Sequence, residues 1–398
     1  MDDSEGDARG PCSVLILAST YPRWEGDSVP AFVAQYAQQL RAAGLEVMVL
    51  APHHRGASRS ETVDGVRVRR FRYWWPARGQ DIAYGQYGKA RLGALKGATY
   101  TLAQIAATAR LARGTDVVNA HWLVPQGFAA AVATLAVRRP LVVTVHGGDV
   151  FTLRGAFATR LKRWTLGRAR AVVVNGSATH ALCRELRDRD YRIVPMGVPD
   201  RFAGAPSSRD DGALRLLFVG RLAEGKGADD AVAGLAIAVE QGVDATLVIA
   251  GSGPERVAVE GLADRLGVGD RVSFAGWVDP VDLPALYAES DALVAPSTTT
   301  ASGWQEAFGL VLVEAALSGI PAIATRSGGI PDVVVDGETG ILVDEHRPDQ
   351  IAGAVASLAV EPALRARMGA AARQRAGELF TWEAVMPRHL AALADALG

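Results

Sequence analysis

An α/β chain built as two doubly wound, Rossmann-like domains is predicted by three observations. Short, β-branched apolar runs alternate with longer helical patterns from end to end, which is the mark of repeated βα units and parallel sheets. At 398 residues the chain exceeds one ordinary core and fits two domains of roughly 200 residues each. Near its middle, residues 199–213 are rich in turn formers and poor in apolar periodicity, so they read as a linker.

The first half carries strand-like runs at Val14 to Ser19, Val47 to Ala51, Val66 to Arg72, Val117 to His121, Leu141 to His146, Ala171 to Asn175 and Arg192 to Pro195. Helical patterns at Val29 to Ala43 and Thr99 to Arg113 lie between them. A second series of strands follows the linker, at Arg215 to Val219, Ala245 to Ala250, Val272 to Ala275, Ala292 to Ala295, Ala322 to Thr325 and Ile341 to Val343. Pro362 to Ala376 and Trp382 to Leu397 read as two closing helices separated at Phe380-Thr381. The expected domains are residues 1–203 and 204–379, with 380–398 a final helix. Ligands of such sheets bind outside the carboxyl ends of the strands. Two such edges facing each other make an interdomain cleft.

Composition excludes several classes. Half the residues are hydrophobic, enough to fill both cores, and a net charge of −1 leaves no basic footprint for nucleic acid. Cys12 and Cys183 lie far apart and lack the neighbours that a disulfide framework or a zinc site needs. The residues after Met1 are acidic where a signal peptide is basic, and the apolar run 128–137 stops at Arg138, short of a bilayer span. A cytoplasmic protein is expected. Of 42 cationic residues only Lys89, Lys96, Lys162 and Lys226 are lysine. A lysine flanked by glycines at 225 and 227, where arginine is the default cation, indicates a need for a compact ammonium.

The chemistry concentrates past strand ends. Gly220-Arg221 and Lys226-Gly227 follow an apolar strand and supply a cationic pair. Downstream, Glu306 and Glu314 bracket an apolar run with no helix breaker after Gly309. If Gly309 opens a helix, the first backbone N–H groups are free for an anion, and an eight-residue helical separation spans at most about 12 Å. One carboxylate can then address each end of an extended nucleotide sugar. Glu314 sits in a run apolar nearly all round, so its carboxylate needs a partner. Gly251-Ser252-Gly253-Pro254 follows a buried strand but lacks the third glycine of a dinucleotide fingerprint, because position 256 is arginine. His146 ends one strand before Gly147-Gly148, and His121 ends a neighbouring one; either can serve the site or the core.

In order and spacing these segments, together with Tyr21 to Asp27, Val194 to Val198 and Ser327 to Pro331, resemble the retaining GT-B glycosyltransferases of glycosyltransferase family 4. The resemblance covers nearly the whole chain. It implies a GT-B architecture, with an acceptor-binding first domain onto which the last helix crosses back and a donor-binding second domain. Arg221 and Lys226 then match the pair that holds the donor diphosphate, Glu306 the residue that binds hydroxyls of the transferred sugar, and Glu314 the one that binds the ribose. Phe308, Gly309 and Leu310 would present backbone N–H groups between the two acids. Gly220, Gly251 and Gly253 would lie beside the nucleotide, and Gly276-Trp277-Val278 would meet the base through backbone groups. His146 matches the histidine that contacts the donor sugar. Gly26 matches a glycine that lets the backbone approach the donor phosphate, although Glu25 stands where the family often has a second glycine.

Acceptor contacts are expected from Asp27, Trp74, Trp75 and His121, with His53 and His54 further candidates; Arg69, Arg70 and Tyr73 join the two tryptophans just past a strand. The competing role for that stretch is a strand end with snorkelling arginines, and a third is contact with a membrane surface, which is also open to residues 160–164. Asp188-Arg189-Asp190 formally fits a metal-binding pair, but its position after a helical pattern reads as a solvated helix end. The expectation is a retaining, metal-independent glycosyltransferase with no cofactor. Its partners would be a UDP- or GDP-sugar donor and a small-molecule, glycan or lipid-linked acceptor, met as a monomer or homodimer in the cytoplasm or at the inner membrane face. A nucleotide-sugar epimerase of the same fold and an NAD(P)-dependent oxidoreductase are the alternatives; the latter wants a full glycine fingerprint where Ser19-Thr20-Tyr21-Pro22 stands.

Overall fold

The computed structural model describes residues 13–24, 26–27, 29–81, 93–151, 155–202 and 212–398. Cys12, Lys89, Glu25, the acidic N-terminus and most of the expected linker lie outside them. The chain forms two compact units, one of Met1–Asn175, Thr179–Gly197 and Val385–Gly398, the other of Gly176–Ala178 and Val198–Ala384.

The first unit runs β1 (Ser13–Leu17), α1 (Phe32–Ala42), β2 (Glu46–Pro52), β3 (Ser60–Val63), β4 (Val66–Phe71), α2 (Gly93–Leu111), β5 (Val117–His121), α3 (Phe128–Val137), β6 (Leu141–Val145), α4 (Gly148–Phe151), α5 (Ala156–Arg168), β7 (Ala171–Val174), α6 (Ser177–Leu186) and β8 (Arg192–Ile193). Its sheet order is β3-β4-β2-β1-β5-β6-β7-β8. All neighbours are parallel except β3 and β4. The antiparallel β3 was not expected. Its signal is Asp64-Gly65, both at positive φ, a two-residue hairpin turn whose backbone twist suits two paired strands.

The second unit runs β9 (Leu214–Val219), α7 (Ala228–Glu240), β10 (Ala245–Ala250), α8 (Arg256–Arg265), β11 (Val272–Gly276), α9 (Leu283–Ala288), β12 (Ala292–Ala295), α10 (Leu310–Leu317), β13 (Ala322–Thr325), α11 (Ile330–Val333), β14 (Gly340–Val343), α12 (Pro348–Val360) and α13 (Pro362–Leu379). The closing helix α14 (Trp382–Leu397) begins here, and its residues from Val385 belong to the first unit. All six strands are parallel in the order β11-β10-β9-β12-β13-β14. That is the 3-2-1-4-5-6 order of a doubly wound sheet, whose direction of winding reverses between β9 and β12. In the first unit the reversal falls between β1 and β5.

Parallel sheets covered on both faces need strands apolar on both faces. β9 obeys this: Leu216 and Phe218 enter one core cluster with Val232 and Val355, whereas Leu217 enters another with Leu312 and Phe380. Each such leucine contributes about 1.5–3 kcal/mol by leaving water. Among the described residues, no helix is long and apolar enough to cross a membrane.

Candidate active site

In the second unit the loops that leave the carboxyl ends of the strands interlock by backbone contact. Leu222 N donates to Ser252 O (3.0 Å), Glu255 N to Leu222 O (3.1 Å) and Gly251 N to Gly276 O (2.7 Å). A Cβ at Gly251 would lie 1.8 Å from Gly220 O, so only glycine allows strand ends β9 and β10 to approach this closely. The loop after β12 rests on the 225–227 turn, with Thr298 N donating to Gly225 O at 2.9 Å.

That edge carries the cationic pair. Arg221 is exposed and forms no ion pair among the described residues. Lys226, at the turn before α7, is half-buried and places Nζ 2.5 Å from Glu306 Oε2 and 5.0 Å from the ring centroid of Trp304. The sequence assigned Lys226 and Glu306 to separate parts of the donor; the fold joins them across 80 positions. Glu306 lies in a loop, not on α10, so the helical spacing assumed for Glu306 and Glu314 does not apply. Glu306 O accepts from Gly329 N (2.8 Å), and a Cβ at Gly328 would come within 2.0 Å of it, so the Ser327-Gly328-Gly329 turn holds this loop in place.

Gly309, at φ +86°, caps the N-terminus of α10 with no side-chain partner. The backbone N–H groups of Phe308, Gly309 and Leu310 donate to no acceptor among the described residues, which leaves them available to an anion. Glu314 falls in the second turn of α10 and accepts from the buried Tyr287 hydroxyl at 2.8 Å. Burial pushes its carboxyl up to about 7, against the opposing Tyr287 hydrogen bond and the Arg201 charge. Burial and the Glu314 charge together raise the Tyr287 phenol well above its ordinary value. Gly253, Gly276, Trp277 and Val278 lie on the same edge, with Trp277 49% exposed.

In the first unit the corresponding edge is aromatic. His146, the first residue beyond β6, packs its ring 5.0 Å from Phe32 and 5.1 Å from both Trp122 and His121. His121 is fully buried and both of its ring nitrogens are engaged, Nδ1 with His146 Nε2 (3.0 Å) and Nε2 with Asn119 Oδ1 (3.1 Å). It has no nitrogen left for an acceptor. Burial first, then the neighbouring rings, push His121 well below its ordinary range and His146 down to about 3, so both are neutral. Asn119 was not anticipated, although a polar residue in the buried run Val117-Val118-Asn119-Ala120 is a legible signal. Tyr287 and Trp304 had no comparable signal.

Asp27, expected at the acceptor, turns inward instead. Its oxygens take Arg23 Nε (2.7 Å), Nη2 (2.6 Å) and backbone N (2.9 Å), so it clamps its own loop. Burial disfavours its charge, yet the Arg23 hydrogen bonds hold the carboxyl below its usual value. Gly26 beside it adopts φ +72° with open space around it. Trp75 is 81% exposed, whereas Trp74 is half-buried with Lys96 Nζ 5.6 Å from its ring centroid. Arg70 does not snorkel: it is buried and bound to Glu61, Ser58 O and Pro22 O. Tyr73 is likewise core, stacked edge-on with Tyr100. His53 is buried and held below its ordinary range, by burial first and then by Arg72, while His54 is partly exposed beside Trp24. Asp188 pairs with Arg184 at 3.0 Å on the surface, and Arg189 donates to the backbone carbonyls of Leu166, Ala169, Arg170 and Asp190.

Comparison with known proteins places this geometry. The family model of the Glycosyl transferase 4-like domain matches residues 29–198, and that of Glycosyl transferases group 1 matches residues 203–375. The GDP-mannose-dependent alpha-(1-6)-phosphatidylinositol monomannoside mannosyltransferase of Mycobacterium tuberculosis is 32% identical over 299 residues, 72% of this chain and 71% of that protein. Sucrose-phosphate synthase from Thermosynechococcus elongatus superposes with a TM-score of 0.76 at 22% identity, over 95% of this chain and 97% of that one. Anabaena Alr3699/HepE, in complex with UDP and glucose, gives 0.73 at 20% identity, over 96% and 99%. Both structures share the fold.

Proposed function

Since the chain belongs to the GT-B glycosyltransferases of family 4 and is therefore a transferase, we propose that it moves a sugar from a UDP- or GDP-sugar to an acceptor hydroxyl with retention and without a divalent metal. The observation that carries this reading is the Lys226–Glu306 pair, with an exposed Arg221 that forms no ion pair among the described residues, on the edge where the winding of the second sheet reverses.

Breaking the bond from the anomeric carbon to the diphosphate leaves negative charge on the phosphate oxygens, which fixed cationic donors stabilise as it grows. Arg221 grips two oxygens with its fork, and Lys226 sets a compact charge beside the leaving oxygen. The N–H groups of Phe308, Gly309 and Leu310, which donate to no acceptor among the described residues, add uncharged donors. Glu306, ion-paired with Lys226, accepts from hydroxyls of the transferred sugar, and His146 contacts the same sugar. Glu314 accepts from the ribose. The acceptor oxygen attacks the face that the diphosphate leaves, forms the new bond to the anomeric carbon and gives its proton to the departing phosphate. Among relatives, the mannosyltransferase is named for GDP-mannose and acts on a phosphatidylinositol monomannoside, which supports a GDP-sugar donor and a lipid-linked acceptor as the first pair to try.

Thermal melting against a panel of UDP-, GDP-, ADP- and TDP-sugars tests this. One donor class at a hundredfold excess over its Kd should stabilise the protein by about 2.7 kcal/mol, and EDTA should leave the shift intact. Stabilisation that vanishes with EDTA would sink metal independence, and stabilisation by NAD(P) alone would sink the reaction class. The anomeric coupling in the product reports retention.

Glu314 predicts a pH dependence. Ribose hydroxyls donating to its carboxylate favour the charged form, so donor binding lowers its pKa and expels a proton. Affinity for an intact nucleotide sugar should therefore be full above about 7 and weaken below it, by up to about tenfold per pH unit. Calorimetric titrations should show this slope in the parent and none in Glu314→Gln. Equal slopes in the two proteins would remove Glu314 from the ribose.

A further inference from the structure

The hydrogen-bond chain behind His146 has only one consistent arrangement of protons. Asn119 is fully buried on β5, and its Nδ2 reaches Thr144 Oγ1 (3.0 Å) and the Val142 carbonyl (3.4 Å). A backbone carbonyl only accepts, so the amide nitrogen must face it and Oδ1 must face the other way, toward His121 Nε2 at 3.1 Å. That oxygen also only accepts. His121 Nε2 must therefore carry the proton, and because this buried ring is neutral, its Nδ1 is a bare lone pair. The partner of that lone pair is His146 Nε2 at 3.0 Å, which in turn must carry a proton. The opposite arrangement would set two lone pairs against each other at the Asn119 end.

We propose that Asn119 and His121 are positioning residues that lock His146 in its Nε2–H tautomer, so that Nδ1 is presented as a hydrogen-bond acceptor to a hydroxyl of the donor sugar. Nδ1 has no hydrogen-bond partner among the described residues, and the rings of Phe32 and Trp122 hold the imidazole from the sides. The fixed tautomer selects a ligand atom that brings its own proton: a hydroxyl, not a carbonyl or a phosphate oxygen. This proposal rests on the reading of His146 as a contact of the donor sugar. It adds two residues buried behind that contact.

The experiment is a long-range 1H–15N spectrum of the full chain carrying 15N-histidine, with His146 assigned by its loss in His146→Gln. The expected result is Nε2–H for His146 in the parent at neutral pH, and a mixture of both tautomers in His121→Phe and in Asn119→Leu. Donor turnover in those two variants should fall about tenfold in kcat, the loss of one neutral hydrogen bond, with acceptor KM unchanged. A parent spectrum showing Nδ1–H overturns the proposal without needing any variant to fold, and so does a His146 signal that ignores both substitutions. If the tautomer mixes while turnover stays at the parent rate, the positioning role is overturned. Should His146→Gln itself turn over at the parent rate, the sugar contact fails separately, whatever its tautomer.

Discussion

Replacing Arg221 and Lys226 together with alanine should lower kcat by about a thousandfold or more, since removing one preorganised donor of this kind costs about 10²–10³. The fold should survive. Arg221 is exposed and unpaired among the described residues, and the Lys226–Glu306 pair is partly open, with side-chain exposures of 29% and 16%. Such a pair contributes about 1 kcal/mol or less to stability. Loss of Lys226 also leaves Glu306 without its counter-charge, so the sugar contact weakens along with the diphosphate contact. Lys226→Arg should not restore the rate, because a planar fork is larger than the ammonium and does not reproduce its point charge. Turnover within a few-fold of the parent in the double variant, with an unchanged circular dichroism spectrum, would overturn the assignment of the leaving-group site.

The second large effect is structural: Gly251→Ala should cost about 3 kcal/mol, the upper part of the range for overpacking. The new methyl would stand 1.8 Å from Gly220 O and 2.9 Å from Gly220 C. Both are backbone atoms of the paired β9 end, so no side chain can turn aside and the strand ends must part. This also breaks the Gly251 N to Gly276 O bond and displaces Arg221. Melting should fall by about 6–12 °C and donor binding should be lost. Gly353→Ala is the contrast: it lies within α12, exposed, with nothing within 4 Å of the added methyl. There the substitution should stabilise by up to about 1 kcal/mol. Equal melting points for the two variants would refute the close-approach argument.

Much of the fold was legible because its signals are local. Runs such as Leu214 to Val219 and Ala245 to Ala250 are apolar on both faces, which fits only strands covered on both sides. The turn of Gly251 and Gly253 was legible as a loop after a buried strand, whereas its close approach to the Gly220 and Leu222 carbonyls is seen only in the structure. Local signals also misled: Glu306 and Glu314 look like one helical stripe, yet Gly309 at φ +86° starts the helix after Glu306. The arginines of β4 look like a snorkelling series, but Arg70 points into the unit and meets Pro22 O, 48 positions earlier.

What the sequence determined by itself was the succession of βα units, the place of each loop at a strand end and the family they compose, since periodicity and turn chemistry act within a few residues. Only the tertiary structure decided which side chains meet. Lys226 finds Glu306, Glu314 finds Tyr287, His146 finds His121 and then Asn119, while Asp27 is consumed by Arg23. The reason is that the energy of a buried charge or ring nitrogen depends on the partner brought to it through space, and except for Arg23 and Asn119 those partners are supplied by strand order and loop packing rather than by neighbours in the chain.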